Sequence, residues 1–310
     1  MRVLVTGAAG FVGGHLIREL ESAGHSPVLM DLRPPAEGSP HLFIAADITD
    51  PSSVESAFIH AKPDACVHLA GIAYVPTGWR EPTQTLGVNL LGTLTVLEAV
   101  RQVAPHCRTL VVTSAEIYGR DDPGQPLTED APLHPQNPYA VSKAGADICT
   151  LLFARHHQIP CLTARPANHC GPGQSASFVV PSFARQLALV KLGLQPPEMK
   201  VGNLDSVRTF IDVRDVVRAY RLLLEKASPG KAYNVAGRER VRIGDILEIL
   251  CDVAGVRPRL VRDPDRYRPT DSVPLLDTRR LCEETGWEPR LSLRQSLQDV
   301  FQHELQRLHA

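Results

Sequence analysis

A surplus of charge of one sign is absent: Lys and Arg number 33 against 34 Asp and Glu, for a formal net charge of −1. Such a balance leaves no electrostatic footprint for nucleic acid or for an anionic membrane surface. Long apolar runs are missing too, and nothing reaches the ~20 residues a membrane-spanning helix needs. The chain opens directly on the strand-like "MRVLVTG", which leaves no room for a signal peptide, and a cytoplasmic protein is expected. Cys66, Cys107, Cys149, Cys161, Cys170, Cys251 and Cys282 show neither C-x-x-C nor zinc-type spacing, so reduced, mostly buried thiols are expected rather than a disulfide frame. His156 and His157 fall late in a helical stretch and read as a solvated helix end, and no metal is expected. Internal repeats and low-complexity segments are also lacking. Tyrosines number only six and lysines are few, which singles out "NPYAVSK" at residues 137–143. On a helix Tyr139 and Lys143 share a face, and an ammonium beside a phenol favours the phenolate.

At 310 residues the chain has room for one large α/β domain with a smaller one attached. "RVLVTG", "PVLMD", "LFIAAD", "ACVHLAG", "TLVVTSA" and "CLTARP" read as six buried strands. Helical patterns lie between them: Phe11 to Ala23, ended by Gly24; "TDPSSVESAFIHA", with Asp50 as N-cap and Pro51 at the first position; and a long helix from roughly Pro82 to Ala104. This alternation predicts an α/β fold with a doubly wound parallel sheet, because each parallel crossover needs a covering helix. After Pro166 the rhythm changes, first to a stretch rich in Gly, Pro and loops, later to "RDPDRYRPTDSVP". Residues 1–166, with about 209–235, are expected to form the sheet domain. Residues 167–208 and 236–310 are expected to form a smaller, irregular α/β substrate-binding domain.

"TGAAGFVG" places Gly7, Gly10 and Gly13 between the first strand and the first helix. Glycines there permit a tight turn and close approach of backbone N–H groups to a pyrophosphate seated on the helix N-terminus. Asp31 closes the second strand, where a carboxylate accepts from a ribose 2′-hydroxyl and repels a 2′-phosphate. NAD(H) is therefore favoured, with Arg33 nearby leaving NADP(H) open. Asp47, ending the third strand, is placed to accept from an adenine.

These segments, with "HLAG" at 68–71, "NLLGT" at 89–93, "TSAEIYG" at 113–119 and "ARPANHCGPGQ" at 164–174, occur in an order that resembles the extended short-chain dehydrogenase/reductase family. This is the branch of nucleotide-sugar epimerases, dehydratases and reductases, built on a Rossmann-type domain. The resemblance covers essentially the whole chain. It implies Ser114, Tyr139 and Lys143 as catalytic residues, with Glu116 beside them and Asn89 in support. Lys143 would hold the nicotinamide ribose and bias Tyr139 toward ionisation. The cofactor contacts implied are Gly7, Gly10, Phe11, Val12, Gly13, Asp31, Leu32, Arg33, Asp47, Ile48, Leu69, Ala70, Gly71, Asn89, Thr113, Tyr139, Lys143, Arg165 and Asn168. For a nucleotide-diphosphate sugar they are Ser114, Glu116, Tyr139, Asn168, Val179, Arg185, Asn203, Arg208, Arg268 and Asp271. Arg208 and Arg268 would act as a diphosphate clamp, since each can hold phosphate oxygens bidentately.

The second half is most similar to members acting on GDP-linked sugars. The expected activity is reduction of the 4-keto group of GDP-4-keto-6-deoxy-mannose to GDP-rhamnose by NAD(P)H, the alternatives being a 4,6-dehydratase or a 4-epimerase. Dehydratases of this family carry an acid or hydroxyl residue and then Glu after the triad Ser/Thr, whereas this chain has Ala115 and Glu116. Ala167 stands where the family usually has Phe. A homodimer is expected, because the helix carrying "YAVSKAGADICTLLFA" and the long helix before it are apolar on more than one face, and in the family such helices pair across a two-fold axis.

Overall fold

The computed structural model describes residues 1–34, 39–120, 124–264 and 274–309. The strands are β1 (Arg2–Thr6), β2 (Ser26–Asp31), β3 (Phe43–Ala45), β4 (Ala65–His68), β5 (Arg108–Val112), β6 (Cys161–Pro166), β7 (Asn168–Cys170), β8 (Glu198–Val201), β9 (Val207–Asp212), β10 (Ala232–Val235), β11 (Arg240–Arg242) and β12 (Arg259–Arg262). The helices are α1 (Phe11–Ser22), α2 (Pro51–Ala61), α3 (Val75–Arg80), α4 (Pro82–Leu86), α5 (Gly92–Val103), α6 (Pro138–His157), α7 (Val179–Lys191), α8 (Val213–Lys226), α9 (Ile243–Ala254), α10 (Arg279–Thr285) and α11 (Leu293–His309).

Seven strands form one parallel sheet in the order β10-β6-β5-β4-β1-β2-β3. Its strands are near-continuous apolar runs because both faces are covered. Side chains of α1 and α8 pack on one face and those of α2 and α5 on the other. Strand order reverses between β1 and β4, and a ligand crevice forms outside the strands' C-terminal ends at such a point. Asp50 caps α2, its side chain accepting from the Ser52 N–H, with Pro51 at the first position, as its sequence predicts. The six strands read from sequence are present, and β10 is a seventh that joins the sheet beside β6.

The smaller body holds a three-stranded sheet, β11-β9-β7, and the parallel pair β12-β8. Its core lies among α7, α9 and α11. The chain then departs from the expected boundary at 236. Leu281 of α10 and Trp287 are fully buried in the core beneath α8, and the Trp287 indole donates to the Asp215 carbonyl. Five cysteines are buried, and burial pushes the thiols of Cys107, Cys161 and Cys170 up to about 12, so they behave as small hydrophobes. No helix among the described residues is long and apolar enough to cross a membrane.

Candidate active site

The crevice over the β1–α1 turn opens into a cavity of about 680 Å³ that runs on between the large sheet and the smaller body. Gly7, Gly10, Phe11, Val12 and Gly13 form one wall. Gly7 adopts φ +68°, and a Cβ there would stand 2.7 Å from the Ala70 nitrogen. A Cβ on Gly13 would stand 2.5 Å from the Ala8 carbonyl oxygen. Only glycine lets the loop fold this tightly and present bare N–H groups at the α1 N-terminus, as a pyrophosphate requires. Asp31 braces the loop from below, accepting from the Ala9 N–H at 3.0 Å and from Leu32 N–H at 2.7 Å. Leu32 and Arg33 are exposed beside it.

Asn137 caps α6, its side chain accepting from the Ala140 N–H, and Pro138 starts the helix. That sets Tyr139 and Lys143, each only 8 % exposed, against the end of β5. Ser114 follows β5 and stands beside Tyr139 in the cavity lining. The expected lowering of the phenol pKa is not found. Burial pushes Tyr139 up to about 12; the neighbouring Ser114 opposes this and the Glu116 charge adds to it. The Lys143 ammonium donates instead to the Val112 carbonyl at 2.9 Å, and desolvation lowers it to about 8. Glu116 faces the same cavity and accepts from Asn137 Nδ2 at 3.3 Å.

Asn89 is buried in a π-helical turn, Gly87–Leu91, between α4 and α5. Its Oδ1 accepts from the Ile72 N–H at 2.7 Å, while Nδ2 donates to the Ile72 carbonyl and to Ser142 Oγ. It therefore fastens the loop after β4 to the helix of Tyr139 and Lys143. Behind it, buried His68 bridges Thr6 and Thr93, and burial, with the Lys143 charge, lowers its pKa to about 3, so it stays neutral.

Leu69, Gly71, Thr113, Ser114, Glu116, Tyr139, Lys143, Asn168, Val179, Asn203 and Arg208 share the cavity with the glycine loop. The buried Asn168 Nδ2 has no partner among the described residues; buried donors of this kind are as a rule satisfied by a ligand or an ordered water. Other expected contacts lie outside the cavity lining. Asp47 accepts from the Thr49 N–H and hydroxyl, closing its own turn, and Ile48 packs against Gly92. Ala70 packs on the α2–α5 side. Arg185 points to Glu304 of α11, 3.8 Å away. Arg165, expected at the cofactor, is buried against Asp147, donating at 3.0 and 2.6 Å, and also donates to the Tyr118 hydroxyl and the Glu129 carbonyl. Its guanidinium is engaged within the protein because an unpaired charge could not be buried there. Arg268 and Asp271 lie outside the described residues.

Sequence reasoning missed Tyr74 and Phe178, which meet edge-on at 5.7 Å and line the cavity with Gln174, Ser175 and Ser182. They lie 104 positions apart in loops and show no period. Tyr220 was missed as well, since on the amphipathic α8 it reads as core.

A glycine cradle joined to a Ser–Tyr–Lys set in one cleft defines an NAD(P)-dependent enzyme of the extended short-chain dehydrogenase/reductase class. Residues 4–300 match the GDP-mannose 4,6-dehydratase family, and the chain belongs to it. It is 40 % identical over 303 residues, 97 % of this chain and 96 % of the relative, to GDP-6-deoxy-D-mannose reductase of Pseudomonas aeruginosa. The structure of RMD from Pseudomonas aeruginosa complexed with NADPH matches with a TM-score of 0.87 and 37 % identity, covering 99 % of this chain and 100 % of that one. UDP-glucose 4-epimerase of Thermus thermophilus, solved with NAD, matches at 0.86 and 28 %, covering 98 % and 99 %.

Proposed function

We propose that the chain reduces the 4-keto group of GDP-4-keto-6-deoxy-mannose to GDP-rhamnose. Its similarity over nearly full length to a GDP-6-deoxy-D-mannose reductase supports both the sugar and the GDP base. When bound, the nicotinamide supplies the hydride for carbon 4. Tyr139 holds its proton at neutral pH because burial raises its pKa to about 12, and it protonates the nascent alkoxide. Ser114 donates to the same oxygen as charge develops. Arg208 and Asn203 hold the nucleotide diphosphate, and Asn168 donates at the junction of sugar and cofactor. Asp31 favours NAD(H) by repelling a 2′-phosphate, while exposed Arg33 leaves NADP(H) accessible.

The observation that carries the reductase reading is Ala115, which lines the cavity between Ser114 and Glu116. Dehydration needs a second proton-transfer group at that place, and a methyl cannot relay a proton. Glu116 is the feature that favours the dehydratase alternative; held by Asn137, it orients a sugar hydroxyl instead. The test is a panel of 4-keto-6-deoxy sugars on GDP, dTDP and UDP, each with NADH and NADPH, following nicotinamide absorbance and product mass. Fastest turnover on the GDP sugar is expected, and equal or faster turnover on another base would refute the base assignment. We further propose a homodimer formed through α6 and the neighbouring π-helical turn. Leu91, Val141, Ile148 and Leu152 are exposed there, a concentration of apolar surface that a monomer leaves wet.

A further inference from the structure

Tyr220 is the largest polar side chain on α8 that faces the large sheet. Its ring is fully buried in the core between the sheet and α1, together with Val216 and Val217. Its hydroxyl has no hydrogen-bond partner among the described residues, yet the residue lines the active-site cavity. A buried hydroxyl without a partner is costly, and such groups are as a rule satisfied by a ligand or an ordered water.

The direction of the side chain is fixed by the helix. Side chains of an α-helix lean toward its N-terminus, so the hydroxyl of Tyr220, about two turns into α8, reaches back toward Val213. That end of α8 lies beside the cofactor cradle, since a Cβ on Gly171 would touch both Val213 and Phe11. The Tyr220 phenol is raised by burial first and by the neighbouring Tyr139 second, which places the two phenols in one electrostatic neighbourhood. Tyr139 marks the hydride-transfer end of the site, far from the adenine end at Asp31.

We infer that Tyr220 is a cofactor-binding residue whose hydroxyl hydrogen-bonds the carboxamide of the nicotinamide. The carboxamide is the only polar substituent on that ring, and it offers both a donor and an acceptor to a hydroxyl that can serve as either. The contact fixes which face of the ring is turned toward the sugar, and ligand-free protein leaves it unmade. This rests on the chain taking a nicotinamide dinucleotide, as its family does.

The test compares Tyr220→Phe with the wild type by calorimetric titration, using NADH and NADPH against ADP-ribose and its 2′-phosphate, which lack only the nicotinamide. The variant keeps the ring and loses only the unpartnered hydroxyl, so the ligand-free protein should melt at the same temperature as the wild type or higher. Affinity for the nicotinamide dinucleotide should fall about three- to tenfold, the range of one neutral hydrogen bond, and affinity for the ADP-ribose should stay unchanged. Unchanged affinity for both ligands, or equal loss of both, would overturn the assignment. A wild type that binds neither class would overturn the dinucleotide reading and this inference with it.

Discussion

At Tyr139 burial and the Glu116 charge both raise the phenol pKa, and the opposing influence of Ser114 is too small to reverse them. The phenol sits at about 12 and Lys143 at about 8. Near neutral pH the site therefore holds a protonated phenol and an ammonium, which suits protonation of an alkoxide. Replacing Tyr139 by Phe should lower turnover by about 10²–10⁴-fold, the range for a general acid–base group, while leaving the dissociation constant for NAD(P)H near that of the wild type; near-normal turnover would refute its role. The pH dependence follows from the same two groups. A required cation loses activity as pH rises through its pKa, so kcat/KM for the reduced cofactor should fall with a midpoint near 8, as Lys143 deprotonates. Tyr139 should add no loss until far higher pH. A profile flat to pH 10 would contradict the role of the Lys143 charge. The pairing of Tyr139 with Lys143 was legible from a spacing of four, but its electrostatics were not, because desolvation depends on what covers the pair.

The element that carries these residues, α6, is tied to the sheet by the buried Arg165–Asp147 pair, with Thr113 donating to the same carboxylate. Removing one partner leaves an uncompensated buried charge. Arg165→Met should thus cost about 3–5 kcal/mol in chemical denaturation, and adding Asp147→Leu should recover part of it. NAD(P)H affinity of the folded fraction should be little changed, whereas a large loss would return Arg165 to the cofactor site. In sequence Arg165 is one arginine after a strand, and nothing local tells an ion pair from a phosphate contact. The stretch from Pro82 to Ala104 reads as a single helix, yet the structure inserts a π-helical turn at Asn89. That turn follows from the tertiary bonds of Asn89 to Ile72 and Ser142, which no 3.6-residue period records. The strands and covering helices before Pro166 were legible because both faces of a parallel sheet are buried. The smaller body was less so, since its strands are only partly buried and carry no continuous apolar run.

For the whole molecule, the apolar side chains of Val141, Ile148 and Leu152 form a stripe on the outer side of α6, near Leu91. Burying such a stripe favours association by ~25 cal/mol per Å² of apolar surface. Light scattering at micromolar concentration should give twice the chain mass, and Ile148→Glu with Leu152→Glu should give the monomer; a monomeric wild type would refute the pairing. The large body and the smaller one both line the cavity, with Ser114, Tyr139 and Lys143 on the first and Arg208 and Asn203 on the second, so the proposed reaction would have its substrate bridge both. The most direct test of this account gives the purified chain GDP-4-keto-6-deoxy-mannose with NADH or NADPH, and separately GDP-mannose with no reductant. The account predicts stoichiometric loss of reduced-nicotinamide absorbance with formation of GDP-rhamnose in the first vessel, and no loss of water in the second. Efficient dehydration of GDP-mannose without reductant, or a 4-epimerised product with no net cofactor change, would contradict it.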